Sequence, residues 1–297
     1  MNNAQTLPGA PSYSAPKKRL SKQRRKQLTR WGLFALTLAI VIVVNLPIIT
    51  MALNSLRTTD QIMAERSILP SHPSLINYQY VSQRTQFWTF FRNSVIVAVT
   101  GTAICMVAAS LAGYALSRFR LGLTIGYSRL LLMMQMFPII LALIPLFILF
   151  KNLQLINTYF SVIIIYTVAQ LPFATWMFRS FFDSIPIDLE EAAQIDGCSR
   201  LQAFRHIVLP LCAAAFAAVT IFAFLFNYNE YLIANIFLRA ENTMTVPVGI
   251  QMFMQQYGTD IGNLMAAATL AMIPTFIMFL FVQKYMLYTA VGGAVKG

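Results

Sequence analysis

The stretch EEAAQIDGCSRLQAFRHIVLPL, residues 190–211, carries two Glu, an Asp, two Arg and a His between long apolar runs. Of the chain's ten acidic residues, five fall between positions 183 and 196. A greasy chain that concentrates its charge in one segment presents that segment to something in water.

Outward from this stretch the chain is 58% hydrophobic and only 11% charged. Soluble domains are about half apolar and about a quarter charged. The excess lies in runs of about 20 apolar residues, the length that crosses a bilayer as a helix. The expected fold is therefore all-α and integral to the membrane, with six transmembrane helices at about 31–53, 93–116, 130–150, 158–178, 211–233 and 263–287. Residues 54–86 and 234–262 read as polar outer loops, and 87–91 (FWTFF) as an interfacial aromatic belt. Pro138, Pro145 and Pro172 are expected to kink their helices.

The formal charge of +12 does not point to nucleic acid. Eight of the 22 Lys and Arg lie in the polar tail, residues 1–30, which reads as a disordered topogenic segment. With the N-terminus inside, sixteen of the 22 fall on inner segments and six on outer ones. That bias places both termini in the cytoplasm, and with them the charged stretch, between helices 4 and 5. Residues 31–297 form the transmembrane domain. Cys105, Cys198, Cys212, His72 and His206 have no metal-ligand spacing, so no metal site is expected.

Locally, Pro186 suits a first helical turn, and Asp188 with Glu191 has capping-box spacing. Gly197 stands where a helix would end in a left-handed residue. Ser199 with Gln202 opens a second helix. Ala192 and Ala193 beside the carboxylates leave a low surface that a partner can approach, with its register set by Arg or Lys. An ordinary amphipathic inner loop is the other reading, and the residues alone do not separate the two.

The spacing EAA, three residues, Gly197, nine residues, Ile207, one residue, then LP resembles the EAA loop of binding-protein-dependent ABC importer permeases. QMFPII (135–140), YNEYL (228–232), TVPVGIQ (245–251) and the terminal GGAVKG are similar to the smaller permease of maltose-type carbohydrate importers. The likeness covers about residues 30–297, with a Cys at 198 where Ala is usual in the family.

The resemblance implies a permease subunit that carries a sugar, and more narrowly an oligosaccharide, into the cytoplasm. Glu190, Glu191, Ala192, Ala193, Asp196 and Gly197 would form the coupling helix docking on an ATPase. Gly249, Gln251, Gln255 and Gln256 would contact an extracytoplasmic solute-binding protein. The implied partners are a second homologous permease, two ABC ATPase subunits, the binding protein and the lipid of a bacterial inner membrane. ATP and Mg would be bound by the ATPase. The chain contains no G-x-x-x-x-G-K-[ST], so it is not expected to be an enzyme or to hold a cofactor.

Polar residues at membrane depth usually face a cavity or the bundle interior. Gln135, Gln170, Trp176, Asn227, Tyr228, Asn229 and Glu230 are the substrate-path candidates. For NYNEY (227–231) a helix-end cap with inter-helix hydrogen bonds is the competing reading. An ion-coupled secondary transporter would carry more ionisable groups deep in its spans, whereas Glu230 is the only carboxylate in or near a span core. A permease for a non-sugar polar nutrient remains the alternative within the class.

Overall fold

The computed structural model describes residues 22–64, 67–119, 122–256 and 260–294. The chain divides into two units, residues 1–50 and 51–297. The first holds most of helix α1 (Lys22–Asn54). Asn45 turns its amide onto the Val41 carbonyl, 2.8 Å away, which keeps this polar group satisfied within its own apolar helix. The tail expected to be disordered is therefore helical from Lys22 onward, and residues 1–21 lie outside those described.

The second unit contains α2 (Thr59–Ala64), α3 (Ile76–Arg84), α4 (Phe87–Arg118), α5 (Gly122–Met136), α6 (Ile139–Asn152), α7 (Tyr159–Asp183) and α8 (Asp188–Ile195). It continues through α9 (Arg200–Ala203), a π-helical turn (Phe204–Val208), α10 (Leu209–Leu211), α11 (Ala213–Asn229), α12 (Leu232–Phe237), α13 (Val246–Gln256), α14 (Ile261–Ala271) and α15 (Ile273–Ala294). Among the described residues there is no strand. Four of the described stretches, Thr29–Asn54, Phe87–Arg118, Tyr159–Asp183 and Ile261–Tyr285, are long and apolar enough to cross a membrane. Two bent pairs raise the count to as many as six.

Those pairs correct the expectation of continuous spans: the third breaks at the proline expected to kink it, and the fifth breaks where no kink was expected. Between α5 and α6 the chain bends by 97° at Phe137–Pro138. A residue before proline is driven out of the helical region, so α5 has to end there. Pro145 and Pro172, by contrast, lie inside α6 and α7. The second bend, 79°, falls at Cys212, and α11 stops at Asn229 rather than continuing to 233. The wide turn before it has a cause in Pro210. In a regular α-helix the proline ring would strike the His206 carbonyl and leave it without a donor. The chain instead widens, and the Leu209 N–H reaches back to the Phe204 carbonyl.

The two segments expected to be polar loops also carry helices: α2 and α3 in the first, α12 and α13 in the second. Helix α4 packs along α7 and α11, and α11 also meets α15. The contact with α7 is close because Gly101, Cys105, Ala109 and Gly113 recur every four residues and are all buried. Two apolar clusters share α4. Its first half, with Phe87, Phe90 and Val97, joins Tyr166 and Phe237. Its second half, with Cys105, Met106 and Ala109, joins Phe178, Phe182, Phe204 and Val208.

Candidate functional site

Helix α8 does not start as expected. Ile187 occupies the cap position and makes no side-chain cap hydrogen bond, and Asp188 is the first helical residue, so Asp188 and Glu191 form no capping box. The acidic first turn of Asp188, Glu190 and Glu191 favours the helix through its dipole instead. The end of the helix follows expectation. Gly197 has φ +91°, its N–H donates to the Gln194 carbonyl at 3.1 Å, and the Cys198 N–H donates to the Ala193 carbonyl at 2.9 Å. That pair of bonds is a Schellman motif. Ser199 and Gln202 then form a reciprocal capping box, with bonds of 2.7 and 3.3 Å.

Nothing lies within 4 Å of a Cβ built at Gly197, so its glycine is required by backbone conformation alone. Gly197→Ala should therefore lose about 1–2 kcal/mol from the left-handed geometry. Gly197→Asn should recover part of this, since Asn tolerates that region. Thermal melts of the detergent-purified chain measure both, and an alanine variant melting with the parent would refute the assignment.

The segment has two faces. Glu190 (3% exposed) and Ala193 (7%) point inward, while Asp188, Glu191, Ala192, Gln194, Ile195 and Asp196 are exposed. Of the predicted Ala192–Ala193 surface, only Ala192 is therefore open to a partner. Beside the acidic residues stand exposed large apolar side chains, Ile195 at 86% and Leu201 at 68%.

Glu190 is engaged inside the chain. Its Oε1 accepts from Arg118 Nε at 2.6 Å and its Oε2 from the Tyr114 hydroxyl at 2.5 Å. Arg118 Nη2 donates to the Ile185 carbonyl at 3.2 Å, and Nη1 to Ser117 Oγ at 2.9 Å. Ser117 Oγ in turn donates to Asp183 Oδ1 at 2.5 Å, and Arg179 lies 3.6 Å from the other Asp183 oxygen. The Tyr114 ring lies 4.6 Å from Phe204 and 6.1 Å from Phe182. Sequence reasoning missed Tyr114 and counted Arg118 only as a topology charge. Their spacing of four at the end of a span puts both on one helical face and is the signal that was available.

At the other end of α4, the α13 helix replaces the expected open loop around Gly249. This glycine is buried, and a Cβ there would lie 2.2 Å from the Phe90 ring, so Gly249 cannot meet a partner. Gln251 is exposed, while the side chains of Gln255 and Gln256 lie outside those described.

The substrate-path candidates do not converge. Asn227 Nδ2 donates to Thr102 Oγ1 at 3.1 Å, the Tyr228 hydroxyl to the Ala271 carbonyl at 2.8 Å, and Asn229 to the Leu225 carbonyl at 2.8 Å. Glu230 accepts from the Ile233 and Ala234 N–H groups and from the Tyr166 hydroxyl at 2.9 Å. NYNEY thus forms a cap and inter-helix hydrogen bonds, the competing reading. Trp176 lies under Arg179, 5.0 Å from the ring centre, and Gln170 is buried in α7. Gln135 lines a cavity of about 380 Å³, whose walls include Phe137, Leu146, Pro172 and Phe226.

The bundle thus has up to six candidate membrane spans, with an exposed acidic segment between two of them. A crystal structure of a bacterial ABC transporter that imports the acidic polysaccharide alginate has the same fold, with a TM-score of 0.72 at 23% identity over 93% of this chain and 99% of that one. Residues 106–287 match the family described as binding-protein-dependent transport system inner membrane component, and the chain belongs to it. It is 34% identical over 262 residues to a sulfoquinovosyl glycerol transport system permease of Agrobacterium fabrum, covering 87% of this chain and 92% of the relative. It is also 36% identical over 212 residues to a trehalose/maltose transport system permease of Thermococcus litoralis, covering 71% and 76%.

Proposed function

We propose that this chain is one of two homologous permease subunits of a bacterial inner-membrane ABC importer, moving a sugar, and more narrowly an oligosaccharide, into the cytoplasm. The observation that carries this is the exposed acidic and apolar face of α8, at the position of the EAA segment in a chain of this family. The carbohydrate assignment draws on the substrates named for the Agrobacterium and Thermococcus relatives. Six spans with both termini in the cytoplasm are supported by the upper span count and by the Lys and Arg bias. ATP and Mg belong to a pair of ATPase subunits, and this chain transmits their closure without a catalytic group of its own. A solute-binding protein would deliver the sugar on the opposite side, with Gln251, Gln255 and Gln256 as candidate contacts.

Proteoliposomes holding this chain, its partner permease and the ATPase pair test the function. Maltose, trehalose and sulfoquinovosyl glycerol are offered with the binding protein outside and ATP inside. Uptake should require the binding protein and ATP, and should persist when proton and sodium gradients are collapsed. Uptake driven by an ion gradient without ATP overturns the proposal in favour of a secondary transporter.

The docking face has its own test. Ile195→Asp puts a charge where an apolar side chain would be desolvated, and Glu191→Arg reverses the exposed carboxylate. Each should weaken capture of the ATPase subunits by about tenfold or more, the effect of about 1.4 kcal/mol. Unchanged capture in both, with normal membrane insertion, would remove α8 from the interface.

A further inference from the structure

We infer that α4 is the rod joining the ATPase-facing segment to the opposite surface, with Arg118 and Tyr114 as positioning residues that grip Glu190 at one end. This rests on the importer reading above. Both Glu190 oxygens are occupied and its side chain is 4% exposed, so it cannot reach a basic residue of another subunit without abandoning Arg118. The outward carboxylate is Glu191. Glu190 instead converts a pull on α8 into a pull on α4 through a buried ion pair, a kind of contact that fixes register more than it stabilises.

The other end of α4 is held as firmly. Asn93 donates to the Asn242 and Met244 carbonyls at 3.0 and 2.8 Å and accepts from the Tyr159 hydroxyl at 2.6 Å. Ser94 accepts from the Val246 N–H, the first residue of α13, at 2.7 Å, and Phe90 fills the space above Gly249. Asn93 and Arg118 are 25 residues apart on one helix, about 37 Å at 1.5 Å per residue. No proline interrupts α4, and its small-residue face is packed against α7, so the common causes of a kink are absent or braced. One rigid element therefore contacts both the segment that meets the ATPase and the helix that carries the candidate binding-protein contacts.

Binding-protein-stimulated ATPase activity is measured on the complete complex in proteoliposomes, with the binding protein carrying the sugar that drives uptake. Capture of ATPase subunits is measured beside it. Arg118→Ala and Asn93→Ala should each lower stimulation by about fivefold or more while capture persists, the size of a typical coupling effect. Damage at two independent sites this far apart multiplies. Two breaks in one rod do not, so the double variant should be no worse than the worse single one. Tyr114→Phe and Tyr159→Phe each delete a single hydroxyl, and they decide the matter by the same cycle if the alanine variants do not assemble. Stimulation unchanged in the single variants, or losses that multiply in the double, overturns the rod. Loss of capture in Glu190→Gln would place Glu190 on the ATPase and overturn it too. A wild-type complex that the binding protein does not stimulate takes down the importer reading itself, whereas a stimulated wild type with indifferent variants takes down only this inference.

Discussion

Gly113→Val should leave the chain unable to keep its central helix pair, and it is the largest single-residue effect expected here. A Cβ at Gly113 would lie 2.8 Å from Phe178 Cβ and 3.0 Å from both the Arg179 nitrogen and the Thr175 oxygen. None of these is the free end of a flexible side chain, so relief requires α4 and α7 to part. Overpacking costs about 1–3 kcal/mol where side chains can yield. Here backbone must move, and the cost should exceed that range, against a total stability of only about 5–15 kcal/mol. Separation would also disturb the network around Arg118, since Ser117 reaches Asp183 across the same contact. Size-exclusion profiles and thermal melts in detergent measure this, with Gly126→Val as control because nothing lies within 4 Å of that position. A Gly113→Val chain that stays monodisperse and melts within a few degrees of the parent would falsify the close packing.

The small-residue spacing on α4 was present in the sequence and carried no weight there, because Gly101, Cys105, Ala109 and Gly113 sit in an apolar run whose only visible message was length. The charged stretch was far more legible. Gly197 and the Ser199–Gln202 pair form the predicted turn and cap because each depends on residues within a few positions of itself. The partners of Glu190 were not legible for the opposite reason. Tyr114 is 76 positions away, and only the α4–α7 packing brings it near. Hydropathy gave the spans their approximate places, and Pro138 signalled a kink in the third, but neither could report that the kink is a 97° break. The helix α13 was hidden in VPVGIQMFMQQ, whose two hydrogen-bonding anchors, Asn93 and Ser94, lie about 150 positions upstream.

Glu230→Ala should destabilise the chain without changing its affinity for sugar. As the only carboxylate in or near a span core, Glu230 was a natural substrate ligand, yet both of its oxygens already accept hydrogen bonds inside the protein. Oε1 takes the Ile233 N–H at 2.9 Å. Oε2 takes the same N–H at 3.0 Å, the Ala234 N–H at 3.1 Å and the Tyr166 hydroxyl at 2.9 Å. Losing the cap of α12 costs about 1–2 kcal/mol. The Tyr166 hydroxyl would keep only the long bond to the Glu230 backbone carbonyl, 3.4 Å, and the lost bond adds about 0.5–1.5 kcal/mol. Glu230→Gln, which keeps one acceptor oxygen but loses the charge at the helix N-terminus, should fall between. Asn229→Ala should be nearly silent, since Asn229 is exposed and bonds only the Leu225 carbonyl of its own helix. Melts of the three variants in detergent, paired with the KM for sugar uptake in proteoliposomes, separate the two roles. A raised KM with unchanged melting would put Glu230 in the translocation path. Lowered melting with an unchanged KM fits a carboxylate whose hydrogen bonds hold the start of α12 and the Tyr166 hydroxyl in place.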